Sequence, residues 1–251
     1  MVAGHHEDFF LKIGRKNKLS DLGNEVQILT HLAESGLPIA HVLASGEQSR
    51  PYLALRTVRG QSMTRFVSPD ANDYNSDRAL LYFRKFGESL GKIHSMDIPW
   101  QRVKERRFHH FLSEEIMEDN RFRSADQWLR ANEPADRKQI FVHGDHHYAN
   151  LLWEKDRVSA VLDWEICGQG WREFDIAWAI IVRPRQSFLK TERERNAVLE
   201  GYLKHGSFDD TSVRWCEILN TLHFASNFRK LPEPSYTSFA LKRIERMIKD
   251  F

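Results

Sequence analysis

The sequence predicts an α+β fold, with a small sheet-plus-helix lobe first and a larger, mainly helical lobe after it. Three observations carry this. Up to Leu55 the apolar residues fall in short strand-like runs around a single stretch of helical period. A polar stretch, "SPDANDYNSD" from Ser68 to Asp77, then links the two parts. Beyond it helical periodicity dominates to the C-terminus, interrupted by one strand, loop and hairpin. The expected lobes are residues 1–67 and 68–251.

"DFFLKIG", Asp8 to Gly14, reads as a short strand ended by glycine. From Leu22 to Glu34 the pattern is helical, with Leu22, Val26, Leu29 and Ala33 on one face and Leu32 beside them. Ser20 or Asp21 can cap its start, and Gly36 and Pro38 stop it. "HVLASGEQSRPYLALRTVRGQ" gives two strands around a polar turn at Glu47 to Arg50. A long helix is expected over Arg78 to His94, with Ala79, Phe83, Phe86, Leu90 and Ile93 as its apolar stripe. A second helical region covers Phe111 to Ala131. "QIFVHGD" is a strand running into a loop, and "NLLWEKDRVSAVLDWE" a hairpin turning at Glu154 to Arg157. Another helix opens over Phe174 to Val182. Helical signals resume at Thr191, with breaks near Gly206 and at "LPEPS".

The chain has 251 residues, enough for a sizeable core. Its formal charge is +2, so no global field draws it to nucleic acid or an anionic membrane. No apolar run approaches the roughly 18 residues of a membrane span, and the N-terminus lacks the pattern of a signal peptide. Two cysteines without a CxxC pair fit a reducing, cytoplasmic setting better than a disulfide scaffold.

Two constellations carry chemistry. Asp145 and Asn150 are spaced D-x-x-x-x-N in the loop after a strand, and Asp163 ends the apolar strand "AVLD". A hairpin brings the start of its first strand and the end of its second together, so Asn150 and Asp163 are expected to be neighbours. A few hard oxygen ligands with room for water and phosphate suit magnesium. Phosphoryl transfer of the kinase type needs such a set, with one carboxylate for the attacking hydroxyl and an amide oxygen and second carboxylate for metal. Asp and Asn are also ordinary loop residues. The second constellation is distant in sequence. Lys12 lies inside the apolar run "FFLKIG", and Glu25 lies among Leu22, Val26 and Leu29. A buried charge is costly unless paired, and a Lys12–Glu25 pair resolves both anomalies.

The stretches "HGDHHYAN" (His143 to Asn150), "VLDWE" (Val161 to Glu165), "FLKIG" with "NEVQILTHLAESGLPIAHVLA", "KIHSMDIP" and "REFDIAW" are similar to the aminoglycoside phosphotransferase and choline kinase superfamily, which has a protein-kinase-like bilobal fold. The resemblance spans nearly the whole chain in the family's order. It implies an ATP- and magnesium-dependent transfer of γ-phosphate to a hydroxyl of a small molecule. Asp145 would be the catalytic base, and Asn150 and Asp163 the magnesium ligands. Lys12, held by Glu25, would contact the α- and β-phosphates. The strand from Leu53 through Arg56 to Val58 would meet adenine through backbone groups. His143 would brace the catalytic loop, Asp175 would stabilise it from behind, and His147 occupies the family's second loop histidine.

Other readings stay open from sequence alone. His143, Asp145, His146 and His147 with Asp163 could nest metal in a hydrolase, drawing on His109, His110 or His223. A non-catalytic nucleotide binder is the third. In kinase-like enzymes two strands and a glycine-rich loop precede the lysine, whereas eleven residues precede Lys12 here, which leads to the expectation of a truncated first lobe with a bare sheet edge. Glu165 suits the second shell of a metal or the cap of a turn, His146 has no assigned role, and His94 and Trp164 are expected to serve structure. The acidic run "SEEIMED", Ser113 to Asp119, leans faintly towards a cationic acceptor, with substrate specificity expected around Phe108 to Leu129 and after Phe174. "RPR", Arg183 to Arg185, carries a weaker signal still.

Overall fold

A computed structural model describes residues 8–14, 22–47, 50–70, 74–98, 112, 114–228 and 234–251. The expected cap at Ser20 or Asp21, and His109 and His110, lie outside the described residues.

Strand β1 (Phe9–Ile13), helix α1 (Leu22–Leu32), β2 (Val42–Gly46) and β3 (Tyr52–Arg56) follow in that order. The three strands form one antiparallel sheet ordered β1-β3-β2. β1 sits at its edge, with Lys12 opposite Leu53 and Phe10 opposite Leu55. Its residues Phe9, Phe10 and Ile13 are exposed. Helix α1 ends at Leu32, two residues before its expected end, and its buried face is Leu22, Glu25, Ile28, Leu29 and Leu32. Ala33, expected on that face, is exposed because it lies beyond the last helical turn.

A short strand β4 (Gln61–Ser62) and helix α2 (Thr64–Val67) come before the polar stretch. β4 leaves the first sheet and pairs with β6 (Leu151–Glu154), which pairs in turn with β7 (Arg157–Val161). The hairpin turns at Lys155 and Asp156, and Lys155 takes the left-handed conformation at φ 57°. Strand β5 (Gln139–Val142) pairs with β8 (Gly168–Trp171), a strand without an apolar alternation that would mark it in sequence.

Helix α3 (Ser76–His94) is capped by Asn75, whose side chain accepts from the Arg78 amide. The single helix expected over Phe111 to Ala131 is instead α4 (Glu114–Met117) and α5 (Asn120–Ala131). The break comes at Asp119, which takes an extended conformation and caps α5. The chain closes with α6 (Arg172–Ile180), α7 (Glu192–Tyr202), α8 (Asp210–Phe228) and α9 (Pro234–Lys249). No described helix is long and apolar enough to cross a membrane.

Glycines set the distance between α3 and α7. A Cβ on Gly87 would stand 1.8 Å from the Val198 carbonyl oxygen, and one on Gly201 would stand 1.8 Å from that of Arg84. Both obstacles are backbone, so no side chain can swing away. Gly87→Ala is expected to force α3 and α7 apart and cost about 3 kcal/mol, the upper end of ordinary overpacking. Urea unfolding checks this, and an unchanged midpoint would show that the two helices are not locked at this crossing.

Candidate active site

The Lys12 ammonium reaches both carboxylate oxygens of Glu25, at 2.9 and 2.8 Å, and the Asp163 carboxylate at 2.7 Å. Glu25 is fully buried, so α1 places a charge where desolvation is severe and Lys12 answers it. Burial pushes the Lys12 pKa down, but Glu25 and Asp163 outweigh it and hold the ammonium above its ordinary value. Glu25 also accepts from the Trp164 amide at 3.2 Å, tying α1 to the segment after β7. Asn24, one residue earlier, donates to the carbonyls of Cys167 and Glu165. Sequence reading passed over Asn24, although its neighbour Glu25 had been singled out.

Asp163 stands just past β7 in the left-handed conformation, φ 64°. Only glycine takes that geometry freely, and strain of this kind is kept where it aims a side chain. The expected meeting of the hairpin's ends is present, since the Leu162 amide bonds the Asn150 carbonyl at 2.8 Å. Asn150 gives its amide protons to the Asp145 carbonyl and carboxylate, at 2.9 and 3.0 Å. Its Oδ1 is then the atom it has to offer a cation.

One carboxylate oxygen each from Glu25, Asp163 and Glu165 lie within 4.8 Å of one another. Burial and the neighbouring Asp163 raise the Glu165 carboxyl. The Lys12 ammonium already bonds Glu25 and Asp163 and offsets the repulsion of this convergence, and carboxylate oxygens are the ligand type that a hard divalent ion takes. The sequence left Glu165 between two roles, and the structure puts its carboxylate beside that of Asp163.

Asp145 is the other pole. Its Oδ1 accepts from the Trp178 indole at 2.8 Å, and His147 Nε2 lies 3.6 Å away. Burial alone would raise the Asp145 carboxyl, but His147, Trp178 and His143 together bring it below the usual value. Trp178 was not singled out from sequence. Its signal was available, because it sits three residues after Asp175 on α6 and so on the same helical face.

The loop carrying Asp145 is held from beneath. Asp175 accepts from the amides of His143 and Gly144 at 3.0 and 3.1 Å, and contacts His94 Nε2 at 3.0 Å. His94 Nδ1 in turn meets the Tyr202 hydroxyl at 2.9 Å, so His94 is a buried, fully partnered side chain. His143 donates from Nε2 to the Leu162 carbonyl and accepts at Nδ1 from the Asp145 amide, which fixes its tautomer. His147 Nδ1 accepts from the Ala149 amide. Trp164 is buried and donates to the Val161 carbonyl.

His146 is fully buried against the Phe86 ring, with Nε2 3.4 Å from the Ser89 hydroxyl and Nδ1 unpartnered among the described residues. Burial, reinforced by the surrounding His143, His94, His147 and Arg183, holds its pKa well below 6.5. The unfolded chain therefore binds a proton near pH 6.5 that the folded chain refuses. Stability present above that pH is lost as pH falls through it, by about 1.4 kcal/mol per pH unit for one such group. His146→Leu is expected to flatten the loss between pH 6.5 and 5 in thermal melts. An unchanged slope would mean that His146 is not the buried neutral group.

A cavity of about 320 Å³ lies at the Lys12 and Asp163 pole, and Asn150 in its wall is hydrogen bonded to Asp145. Phe10, Lys12, Leu29 and Leu55 to Val58 line one side, and Asn150, Leu152, Asp163 and Trp164 the other. Of the strand residues expected to meet a nucleotide, Arg56 and Val58 line it, while Leu53 does not. Leu53 is fully buried in the core, and Leu55, two residues on, takes its place in the wall. Glu25 is at the cavity's base.

Comparison with known proteins adds to this geometry. An aminoglycoside phosphotransferase, APH(4)-Ia, in ternary complex with AMP-PNP and hygromycin B, superposes with a TM-score of 0.69 at 16% identity, over 98% of this chain and 88% of that one. A macrolide 2'-phosphotransferase from Brachybacterium faecium gives 0.61 at 16% identity, over 95% and 84%. At these identities the likeness concerns the fold. Acyl-CoA dehydrogenase family member 10 of Mus musculus is 24% identical over 176 residues, which is 62% of this chain and 16% of that protein, so the chain spans a small part of that relative. The model of the phosphotransferase enzyme family (APH) matches residues 2–216, a span that includes both poles of the site and every residue named in the cavity wall. The chain belongs to that phosphotransferase family.

Proposed function

We propose that the protein transfers the γ-phosphate of ATP to a hydroxyl of a small molecule, with magnesium. The observation that supports this best is the convergence of Lys12, Glu25 and Asp163 on the cavity that Asn150 also lines, with Asn150 hydrogen bonded to Asp145. The cavity would lie between lobes formed by residues 1–67 and 68–251. ATP would occupy it, with adenine against Arg56 to Val58 and the phosphates towards Lys12. Val58 is suited to adenine because its N–H has no partner among the described residues. Asn150 Oδ1 and Asp163 would hold magnesium, with Glu165 beside them; when bound, the ion neutralises charge on the phosphates.

Asp145 then receives the proton of the acceptor hydroxyl. The acceptor oxygen bonds to the γ-phosphorus, the bond from that phosphorus to the β–γ bridging oxygen breaks, and ADP leaves. Trp178 and Asn150 fix the Asp145 carboxylate so that no reorganisation is needed at that moment. His143, His147 and Asp175 support the loop through the hydrogen bonds described above. A cytoplasmic location fits a donor such as ATP.

The metal-hydrolase reading is less well supported. Both nitrogens of His143 are engaged, and His146 packs on Phe86 away from the carboxylates. A screen of ADP release from Mg·ATP over hydroxyl-bearing compounds tests the proposal. The expected result is acceptor-dependent ADP release that EDTA abolishes. Nucleotide binding without turnover would favour a non-catalytic binder, and ATP-independent phosphatase activity would favour the hydrolase.

A further inference from the structure

Arg183 is 8% exposed, yet it has no carboxylate partner among the described residues. Its guanidinium donates to the Trp178 carbonyl at 2.7 Å and the Ile181 carbonyl at 3.4 Å. It also stands over the rings of Trp178 and Phe224, at 5.1 and 5.8 Å. Burial brings its pKa down to about 10, and Asp145 is the largest of the charges that oppose this. A buried cation satisfied only by carbonyls and ring faces is costly to keep without a purpose. Trp178 connects it to the reaction, since the same residue gives its indole proton to Asp145 and its ring and carbonyl to Arg183.

Arg183 opens onto a second cavity, of about 380 Å³. Arg185, Lys190 and the amide Gln186 share its wall with Tyr236 and Phe239, and among the described residues no acidic side chain lines it. The loop that makes this wall is built rather than loose. Gln186 is buried, accepts from the Arg183 amide and donates to the Phe188 carbonyl. The Glu194 side chain receives the amides of Leu189, Lys190 and Thr191, and the Tyr236 hydroxyl bonds the Val182 carbonyl. Two non-glycine residues in it, Arg185 at φ 63° and Leu189 at φ 58°, adopt left-handed backbone. Strain held in place by this many bonds marks a loop whose shape is used. Asp119, at the end of the acidic run that leaned towards a cationic acceptor, caps α5 and pairs with Arg121.

We propose that this basic cavity is the acceptor's anion subsite, so that the hydroxyl presented to Asp145 belongs to a molecule carrying a carboxylate or a phosphate. The inference rests on the phosphotransfer reading of the Asp145 site. Arg183 would take the anion in a charge-assisted pair at low local dielectric, and Arg185 and Lys190 would draw it in from solvent. Tyr236 and Phe239 would cover the apolar part of the molecule.

The test pairs binding with turnover on the full chain. Matched sets of hydroxy carboxylates, polyol phosphates, neutral polyols and aminoglycosides are screened by ligand-observed NMR without nucleotide, and by ADP release with Mg·ATP. The variants are Arg185→Asn with Lys190→Ser, at exposed positions where Asn tolerates the left-handed backbone, and separately Arg183→Met. The expected result is that an anionic set binds and is the preferred acceptor, and that the double variant raises its Kd and KM about tenfold with KM for ATP unchanged. The relative response of carboxylates and phosphates decides between the two anions. Preference for neutral or polycationic acceptors, absence of anion binding at millimolar concentration, or an unaltered Kd in the double variant would overturn the subsite. Anion binding that the variants abolish, with no ADP released by any set, would keep the subsite and remove the phosphotransfer reading.

Discussion

Asp145→Ala is expected to lower kcat by about 10²–10⁴, the range of a positioned general base, while Mg·ATP affinity stays nearly unchanged. The separation follows from the geometry. Asp145 is bonded to Trp178 and Asn150 but does not line the cavity proposed for ATP, whereas Lys12, Asn150 and Asp163 do. On the proposed reading, removing its carboxylate takes away the proton acceptor and leaves the proposed phosphate contacts in place. Single-turnover kinetics beside equilibrium nucleotide binding measure the two effects independently. A variant that kept wild-type turnover would remove Asp145 from the reaction, and one that lost ATP binding as well would make it a structural residue.

Lys12→Met is expected to do the opposite, weakening Mg·ATP binding and slowing transfer by about 10²–10³, as when a preorganised charge is taken from a developing one. It should also destabilise the protein. Glu25 is fully buried, and without Lys12 its charge has, among the described residues, only the Trp164 amide as a partner. Breaking such a pair costs about 3 kcal/mol, or roughly 6–12 °C in Tm for a chain of this size. The double variant Lys12→Met, Glu25→Leu separates the two consequences. With both charges gone the desolvation penalty disappears, so much of the lost stability returns, short of what the orphaned Trp164 amide costs. Activity does not return. Recovery of turnover in the double variant would show that Lys12 acts only by satisfying Glu25.

The parts of this architecture that were legible in sequence have two physical causes, the cost of placing charge or polarity among apolar residues and the closure of a hairpin. Lys12 and Glu25 were each anomalous in an apolar run, and they meet at 2.8 Å. Asn150 and Asp163 were adjacent because a hairpin leaves little choice. The remainder depends on contacts that no local period records. Trp178 reaches Asp145 across 33 residues, and although its place three residues after Asp175 puts it on the same helical face, no local period records that its indole proton meets that loop. Asn24 joins α1 to the segment after Asp163 across more than a hundred residues in the same way. Strand β8 carries two glycines and a glutamine, so it had no alternation to read. The split between α4 and α5 turned on the single side chain of Asp119, which favours its own cap over a continued helix. Arg183 was visible in sequence only as part of a basic tripeptide. Its burial against Trp178 and Phe224 is a tertiary fact.

The most direct measurement follows the γ-phosphorus itself. Phosphorus NMR of the wild-type chain with Mg·ATP and the best acceptor of the screen should show the γ-resonance replaced by that of a phosphate ester, with ADP in equal amount, and Asp145→Ala should leave the spectrum unchanged. Inorganic phosphate as the product with no ester formed, or ester formation at the same rate in Asp145→Ala, would contradict transfer of the phosphoryl group to a hydroxyl at this site.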